Sequence, residues 1–448
     1  MMKGIYLLST CCLWLLSLHA YAQKRWTLEE CIHYALQHNL AIQHKALDAE
    51  ISGQDWRLAK AERLPQVGGY ANMYSNFGHS QDVFGTIQRN DNLNSSMGIT
   101  VEIMLYNFGA LRNKIKKAHV DQKALELERL VLERETTVKV IQAYLDVLLK
   151  EALLQARDSA VANAERLRDR ALRTTEIGTT AQTDVYEAQA TLARERQQLE
   201  RAKMDVGRSR LQLAQLMLWD DPGSLDIMPI DRTAMAASTE GFVHTDVLAS
   251  AYSLHPALHR LDTLAHGLAL ERRVIRAANY PVFSGSTSIG STYFNPFRLA
   301  DKTNFLRQTK DNFAQQIAIT ASIPIFNKGK TKIQLKQLDY AVQQLAVDRE
   351  NEKQEIRNQI EQLLFDFQSN QQQYKTAKDV MDYAEKAMRL TQKSYEAGRS
   401  SIYDYNNSRN QYVQATYDCL QAEYSTLFSH KMLLFQTRGT WEGNREGF

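Results

Sequence analysis

Tyr106-Asn107-Phe108-Gly109 closes a run of alternating residues and opens a run, Ala110 to Ile177, that contains neither glycine nor proline. The pattern returns 220 residues later as Phe326-Asn327-Lys328-Gly329, followed by Lys330 to Ala397 without either residue. Glycine and proline are the residues that most strongly disfavour a helix interior, so each run predicts one unbroken helix. At a rise of ~1.5 Å per residue it would be about 100 Å long, several times an ordinary globular helix. A helix of that length cannot cover its own apolar face and needs a neighbour along most of it.

The duplication extends outward from these two runs. Glu176-Ile177-Gly178 recurs as Glu396-Ala397-Gly398 and Asp184 as Asp404, again at 220 residues. Upstream, Asn39-Leu40-Ala41 matches His255-Pro256-Ala257, and Pro65 matches Pro281, at an offset of 216. The change in offset falls between the prolines and the Asn-x-Gly motifs, where loop insertions are thermodynamically cheap. Each half is therefore one structural unit of helix, strand, loop, strand, long helix, turn and helix. The expected division is 1–22 as a processing segment, 23–218 as repeat 1, 219–246 as an equatorial linker, 247–438 as repeat 2 and 439–448 as a tail.

A coiled-coil seam is legible in both copies. Ile115, Ala118, Gln122 and Leu125 are spaced three, four, three, and Leu335, Leu338, Val342 and Leu345 match them. Beyond Gly178 the same spacing runs through Val185, Ala188, Leu192, Leu199, Ala202, Val206, Leu213 and Leu216. The second copy reads Tyr405, Ser408, Tyr412, Ala415, Cys419, Ala422, Ser429 and Leu433. A 3.5-residue repeat predicts left-handed supercoiling, and the small and polar seam residues suit helices packed side by side into a wide cylinder. The returning helix from Asp184 to Leu218 spans only about 50 Å. Helices over Leu28–Arg63 and Val247–Ala278 supply the rest, the first opened by a Thr27/Glu30 capping box.

The β-like stretches lie between the helices. Met97, Ile99, Val101, Ile103 and Leu105 alternate with Ser96, Gly98, Thr100, Glu102 and Met104; Ile317, Ile319, Ala321, Ile323 and Ile325 alternate with Gln316, Ala318, Thr320 and Ser322. Period two, with one apolar and one small or polar face, fits a strand between lipid and water, and fits equally a soluble sheet with one wet face. Val67–Phe77 and Val282–Tyr293 are their partners, and Gly78–Asn92 and Phe294–Lys310 the loops at the far end. One chain offers four strands where a transmembrane barrel needs at least eight. A membrane barrel must then be shared, and three chains would give twelve strands.

The N-terminus reads as an export signal: Lys3, an apolar Ile5–Leu18 and Ala20-Tyr21-Ala22 before the cleavage point. Removing it leaves Cys31 and Cys419, too few for a disulfide framework. No later stretch is apolar enough for a membrane-spanning helix, so any membrane contact must be made by strands. A net charge of +3 argues against a nucleic-acid partner. The sequence holds no G-x-S-x-G, Walker loop, H-E-x-x-H or C-x-x-C motif, so no enzyme chemistry and no cofactor is expected. His255, His259 and His266 share one predicted helix face, either as a metal site or as isolated surface histidines.

The twofold repeat, the opening Trp26-Thr27-Leu28-Glu29-Glu30 with Asn39, the Tyr-Asn-x-Gly strand ending and the Gly-x5-Asp turns resemble the TolC family of outer-membrane channel proteins across the mature chain. The resemblance implies a mainly α fold with a small β part: a long antiparallel helical coiled-coil barrel continued by a 12-stranded transmembrane β-barrel, shared by a homotrimer in outer-membrane lipid. It implies an exit duct for drug efflux or type I secretion, with a periplasmic adaptor protein and an inner-membrane transporter of RND or ABC type as partners. Gly178 and Gly398 would be the hairpin tips where an adaptor docks. Asp404 matches an acidic position of the family's periplasmic gate, whose next acidic position is Asn407 here. Tyr395 matches a tyrosine that ties the hairpins together, with Asp184 as its partner, and Tyr403 or Tyr405 supplies aromatic bulk. Met97, Ile99, Val101, Ile103, Ile317, Ile319 and Ile323 would face lipid. A carboxylate in the first turn of a helix is also simply a favourable end group, and both roles remain open for Asp184 and Asp404. The competing class is a periplasmic coiled-coil adaptor, which needs one hairpin where this sequence offers two.

Overall fold

A computed structural model of the chain describes residues 25–81, 83–178, 181–230, 243–297 and 304–439. The export segment, part of the linker after Ile230 and the tail beyond Gly439 lie outside the described residues. In chain order the elements are β1 (Arg25–Trp26), α1 (Leu28–His38), α2 (Leu40–Ala61), β2 (Gln66–Asn76), β3 (His79–Gln81), β4 (Ile87–Arg89), β5 (Asn92–Tyr106), α3 (Ala110–Glu176), α4 (Gln182–Met217), β6 (Asp226–Ile227), α5 (His244–Leu254), α6 (Pro256–Ala277), β7 (Val282–Pro296), α7 (Phe305–Asp311), β8 (Ala314–Ser322), α8 (Lys330–Glu396) and α9 (Ile402–Arg438). The two long helices, α3 and α8, each run 67 residues without interruption.

Both start from the same turn. Phe108 and Lys328 hold φ of 53° and 56°, the following Gly109 and Gly329 hold 80° and 74°, and the N–H groups of Ala110 and Lys330 return to the carbonyls of Asn107 and Asn327 at 3.1 Å. The expected helices over Leu28–Arg63 and Val247–Ala278 are each broken once, at paired positions of the repeat. Asn39 leaves helical geometry and its side chain accepts from the N–H groups of Ala41 and Ile42 at 2.9 and 3.2 Å, capping α2. In the second copy His255 is the break, because Pro256 at the first turn of α6 disfavours a helical residue before it.

The chain divides into two compact units. The first, within residues 1–44, 129–256 and 352–448, is helical apart from a parallel β1–β6 bridge. Its core gathers Trp26, Cys31, Ile141, Tyr144, Val147, Leu213, Met217, Leu225 and Leu427, and each fully buried Leu or Ile stabilises it by roughly 1.5–3 kcal/mol. The Tyr144 hydroxyl lies 3.0 Å from the carbonyl oxygen of Trp26 and 2.5 Å from that of Met228, bringing β1 and the segment after β6 together. The heptad seam lies inside: Val185, Ala188, Leu192, Leu199, Val206 and Leu213 are buried on α4, as are Tyr405, Ala415, Cys419, Ala422, Ser429 and Leu433 on α9.

The second unit, 45–128 and 257–351, holds an antiparallel sheet of order β2-β5-β7-β8. The register joins Val67, Val101, Thr287 and Ile317 in one rung and Ile103, Gly285 and Ile319 in the next but one. Opposed residues of antiparallel strands share a face, so Met97, Ile99, Val101, Ile103, Ile317 and Ile319 lie on a single face. The other carries Thr100, Ser288 and Gln316, then Ser96, Thr292 and Asn72. Ile323 is a correction: β8 stops at Ser322, since Pro324 has no N–H for the ladder and holds the preceding residue back. The two far loops also carry structure that their polar composition did not announce, the β3–β4 hairpin and the short helix α7.

Candidate functional site: the hairpin ends and the apolar sheet face

The site at the ends of the hairpins belongs wholly to the first unit. Helix α8 ends in a Schellman turn: the Arg399 N–H reaches the Ser394 carbonyl at 2.8 Å and the Gly398 N–H reaches that of Tyr395 at 3.0 Å. Gly398 takes φ of 68° there, as Gly178 takes 79° after α3, a conformation costly for any residue with a Cβ. Ser401 then starts α9. Its hydroxyl accepts from the Asp404 N–H at 3.1 Å, and Asp404 Oδ2 accepts from the Ser401 N–H at 3.1 Å and hydroxyl at 2.6 Å. This capping box holds the Asp404 carboxyl below the usual carboxylate range, chiefly through the Ser401 hydroxyl and then its N–H. Asp184 occupies the same place in α4, but Ala181 before it offers no side chain to complete a box.

The sequence of α9 sorts its first turns by face. Ile402, Tyr405 and Arg409, spaced three and four, are buried. Tyr403, Asp404 and Asn407 point to the exposed side, and Tyr403 is 70% exposed. Ile402 and Tyr405 pack with Leu167 and Ala171 of α3 and Val185 and Ala188 of α4, so the two hairpins share one small apolar core at their ends. Tyr395 stacks on Tyr405 with centroids 5.8 Å apart, and the Arg170 guanidinium lies 5.7 Å from the Tyr395 ring centre. Arg170 also donates to the Glu396 carbonyl at 2.9 Å, a direct tie from α3 to α8. Burial raises the Tyr395 hydroxyl pKa, and the charge of Asp184 raises it further. The two residues are electrostatic neighbours across an open groove of about 590 Å³ that also touches Arg170, Glu396 and Ser401.

The sheet of the second unit has a matching logic. Its apolar face is exposed, with Ile99 at 54%, Ile317 at 86% and Ile319 at 74%. Aromatic rings stand at both ends of the strands. Phe108 packs on Tyr106 and Tyr280, each at 4.9 Å, where β5 ends and β7 begins; Phe77 stacks on Phe297 at 5.8 Å where β2 and β7 end. An apolar band between two aromatic girdles is the signature of a strand surface in a bilayer. Among the described residues both sheet edges are open: β2 pairs only with β5, and β8 only with β7.

Among the described residues no group of histidine, cysteine or acidic side chains is arranged to hold a metal. His255 stands 4.0 Å from Glu352, while His259 and His266 line a groove with His119, Lys116 and Lys123. Cys31 and Cys419 are buried free thiols. No described helix is long and apolar enough to cross a membrane.

Long helical hairpins joined to an open antiparallel sheet with a greasy face define the class of outer-membrane channels. The outer membrane efflux protein family matches residues 31–217 and 247–433, one match for each repeat, and the chain belongs to this family. It is an outer-membrane efflux channel protein with a periplasmic portion, and not an enzyme. It is 22% identical to the outer membrane efflux protein BepC of Brucella suis over 92% of this chain and 85% of the relative. The fold is that of the outer membrane protein VceC of Vibrio cholerae, with a TM-score of 0.73 at 17% identity over 92% and 96% of the two chains. The CmeC outer membrane channel of Campylobacter jejuni gives a TM-score of 0.73 at 15% identity over 92% and 85%.

Proposed function

We propose that three copies of this chain close their sheets edge to edge into a 12-stranded barrel, and that their hairpins enclose a water-filled duct whose periplasmic entrance is set by the hairpin ends. The observation that carries this is the pair of open sheet edges. A lipid-exposed edge strand leaves backbone groups without hydrogen bonds, so strands cross a bilayer only in closed barrels. Each open edge continues in sequence into a helix with an exposed apolar stripe at heptad spacing: Leu40, Leu47, Ile51 and Leu58 on α2, which leads into β2, and Ile333, Tyr340 and Val347 on α8, which follows β8. Two unlike edges of one chain joined in turn produce a ring, not a dimer. In this reading each repeat, 23–218 and 247–438, supplies two strands and one hairpin.

At the entrance, Asp404 forms a ring of three carboxylates, with Asn407 and Tyr403 beside it on the exposed face of α9. Tyr395 and Asp184 hold the hairpins together at rest. The tips at Gly178 and Gly398 receive a periplasmic adaptor, which links the duct to an inner-membrane transporter of RND or ABC type. Membership of the efflux family supports a tripartite pump in general. The test is direct. The mature protein, extracted from outer membranes in detergent, is expected to run as a heat-modifiable trimer and to give discrete currents in planar bilayers. A monomer that stays soluble without detergent and conducts nothing overturns the reading.

A further inference from the structure

The two hairpins enclose one charge pair that the entrance as described does not use. Arg409 on α9 is 2% exposed and Glu195 on α4 is 8% exposed. Arg409 Nη2 donates to Glu195 Oε1 at 2.5 Å. Arg157 of α3 stands 3.6 Å from Glu195 Oε2, and its guanidinium lies 4.1 Å from the ring centre of Tyr417 on α9. Three helices from both hairpins thus meet at one carboxylate.

The pair is poorly satisfied. A guanidinium carries five N–H donors, yet Arg409 Nε and Nη1 are buried with no acceptor. Glu195 Oε2 is buried with only the 3.6 Å ion-pair contact to Arg157 and no hydrogen bond, and Asn406 Oδ1, one turn earlier on α9, is buried with no donor. Each atom has lost its hydrogen bonds to water without replacement. Buried ion pairs are often replaceable by apolar residues of similar size with a gain in stability, so tight packing alone does not explain these charges. Separation does. Parting two apolar side chains exposes greasy surface, whereas parting this pair hydrates every atom that the closed arrangement leaves unsatisfied.

We propose that Glu195 and Arg409 form a latch: positioning residues that hold the two hairpins together at rest and take up water when they part. The proposal rests on the reading of the hairpin ends as a movable entrance. It predicts opposite effects for removing one charge and for removing both. In Glu195→Gln, Arg409 loses its counter-ion and faces Arg157, so the hairpins part more readily. In the double variant Glu195→Leu/Arg409→Met, the seam becomes apolar and parting is penalised, while the partly exposed Arg157 turns to solvent.

Single-channel recording of the full-length protein tests this. The expected result is an open probability roughly tenfold or more above wild type for Glu195→Gln, and one below wild type for the double variant, both with the wild-type heat-modifiable band. A second readout uses Glu195→Cys/Arg409→Cys with Cys31 and Cys419 replaced by serine. A short bismaleimide should shut that channel, and the same treatment should leave the serine background conducting. A double variant as open as Glu195→Gln, a Glu195→Gln current equal to wild type, or a crosslinked channel that still opens overturns the latch. Absence of current from the wild-type protein instead defeats the underlying channel reading.

Discussion

Tyr395 and Tyr405 stack with ring planes 8° apart, fastening the last turn of α8 to the first turn of α9. The pair sits between the Arg170 guanidinium and the small core shared by the hairpins, so it stiffens the turn at Gly398 from inside. Aromatic pairs of this kind contribute about 0.5–1.5 kcal/mol beyond the area they bury. Tyr405→Ala should therefore lower the melting temperature of the purified protein and raise proteolysis at 397–401. Tyr405→Phe keeps both rings and should melt with wild type. Circular dichroism and limited proteolysis check both, and equal melting of the alanine variant removes the stack from the account.

Gly98 and Gly290 face each other across β5 and β7 on the polar face, with Tyr70 of β2 beside them. A Cβ on Gly98 would lie 2.6 Å from the Ile289 carbonyl oxygen and 2.9 Å from the Tyr70 hydroxyl. Backbone on one side cannot yield, so Gly98→Val should cost at least the 1–3 kcal/mol typical of overpacking and reduce the amount of protein reaching the outer membrane. Gly68, on the neighbouring strand, would place its Cβ 3.7 Å from the Thr100 side chain and should accept alanine without loss. Fractionation and heat modifiability separate the two.

The repeat, the long helices and the strands were legible because their signals are local: absence of glycine and proline, period 3.5 and period two. The Thr27/Glu30 box was read directly, and Ser401-x-x-Asp404 has a related form that spacing could have revealed. Glu195 was overlooked for a physical reason. It occupies the seam position between Leu192 and Leu199, where a search for apolar residues passes over a charge, and its partner lies more than two hundred residues away. The aromatic girdles were missed likewise, since Phe77 and Phe297 meet only once the register of the sheet is fixed. Asn39 and His255 were matched as repeats but not as breaks, because hydrophobic periodicity continues across a single non-helical residue.

The two faces of the sheet make opposite demands on a charge. A lysine on the lipid side of a barrel strand costs about 2–4 kcal/mol near the bilayer midplane, and one facing water costs little. Ile99→Lys and Ile317→Lys should therefore abolish or strongly reduce trimer in the outer membrane. Thr100→Lys and Gln316→Lys, one residue away on the other face, should assemble normally and shift ion preference toward anions. Equal tolerance on both faces would mean that the apolar face does not meet lipid.

Asp404 closes the box with Ser401 as the third residue of α9, and in the proposed trimer its exposed carboxylate would contribute one charge to the entrance ring. Asp404→Asn keeps an acceptor oxygen for Ser401 but removes the charge, whereas Asp404→Ala removes both. Reversal potentials in a potassium chloride gradient should show reduced cation preference for both variants, and only the alanine variant should fray at 399–404 by hydrogen exchange. The pH dependence has a definite sign. The native carboxyl is held below its ordinary range by Ser401, so the native state binds fewer protons than the unfolded chain as pH falls through that range. The cap contribution is full at neutral pH, declines as pH falls below the ordinary carboxylate value and is gone below the lowered one. An asparagine variant with unchanged selectivity would place the ring charge on another residue.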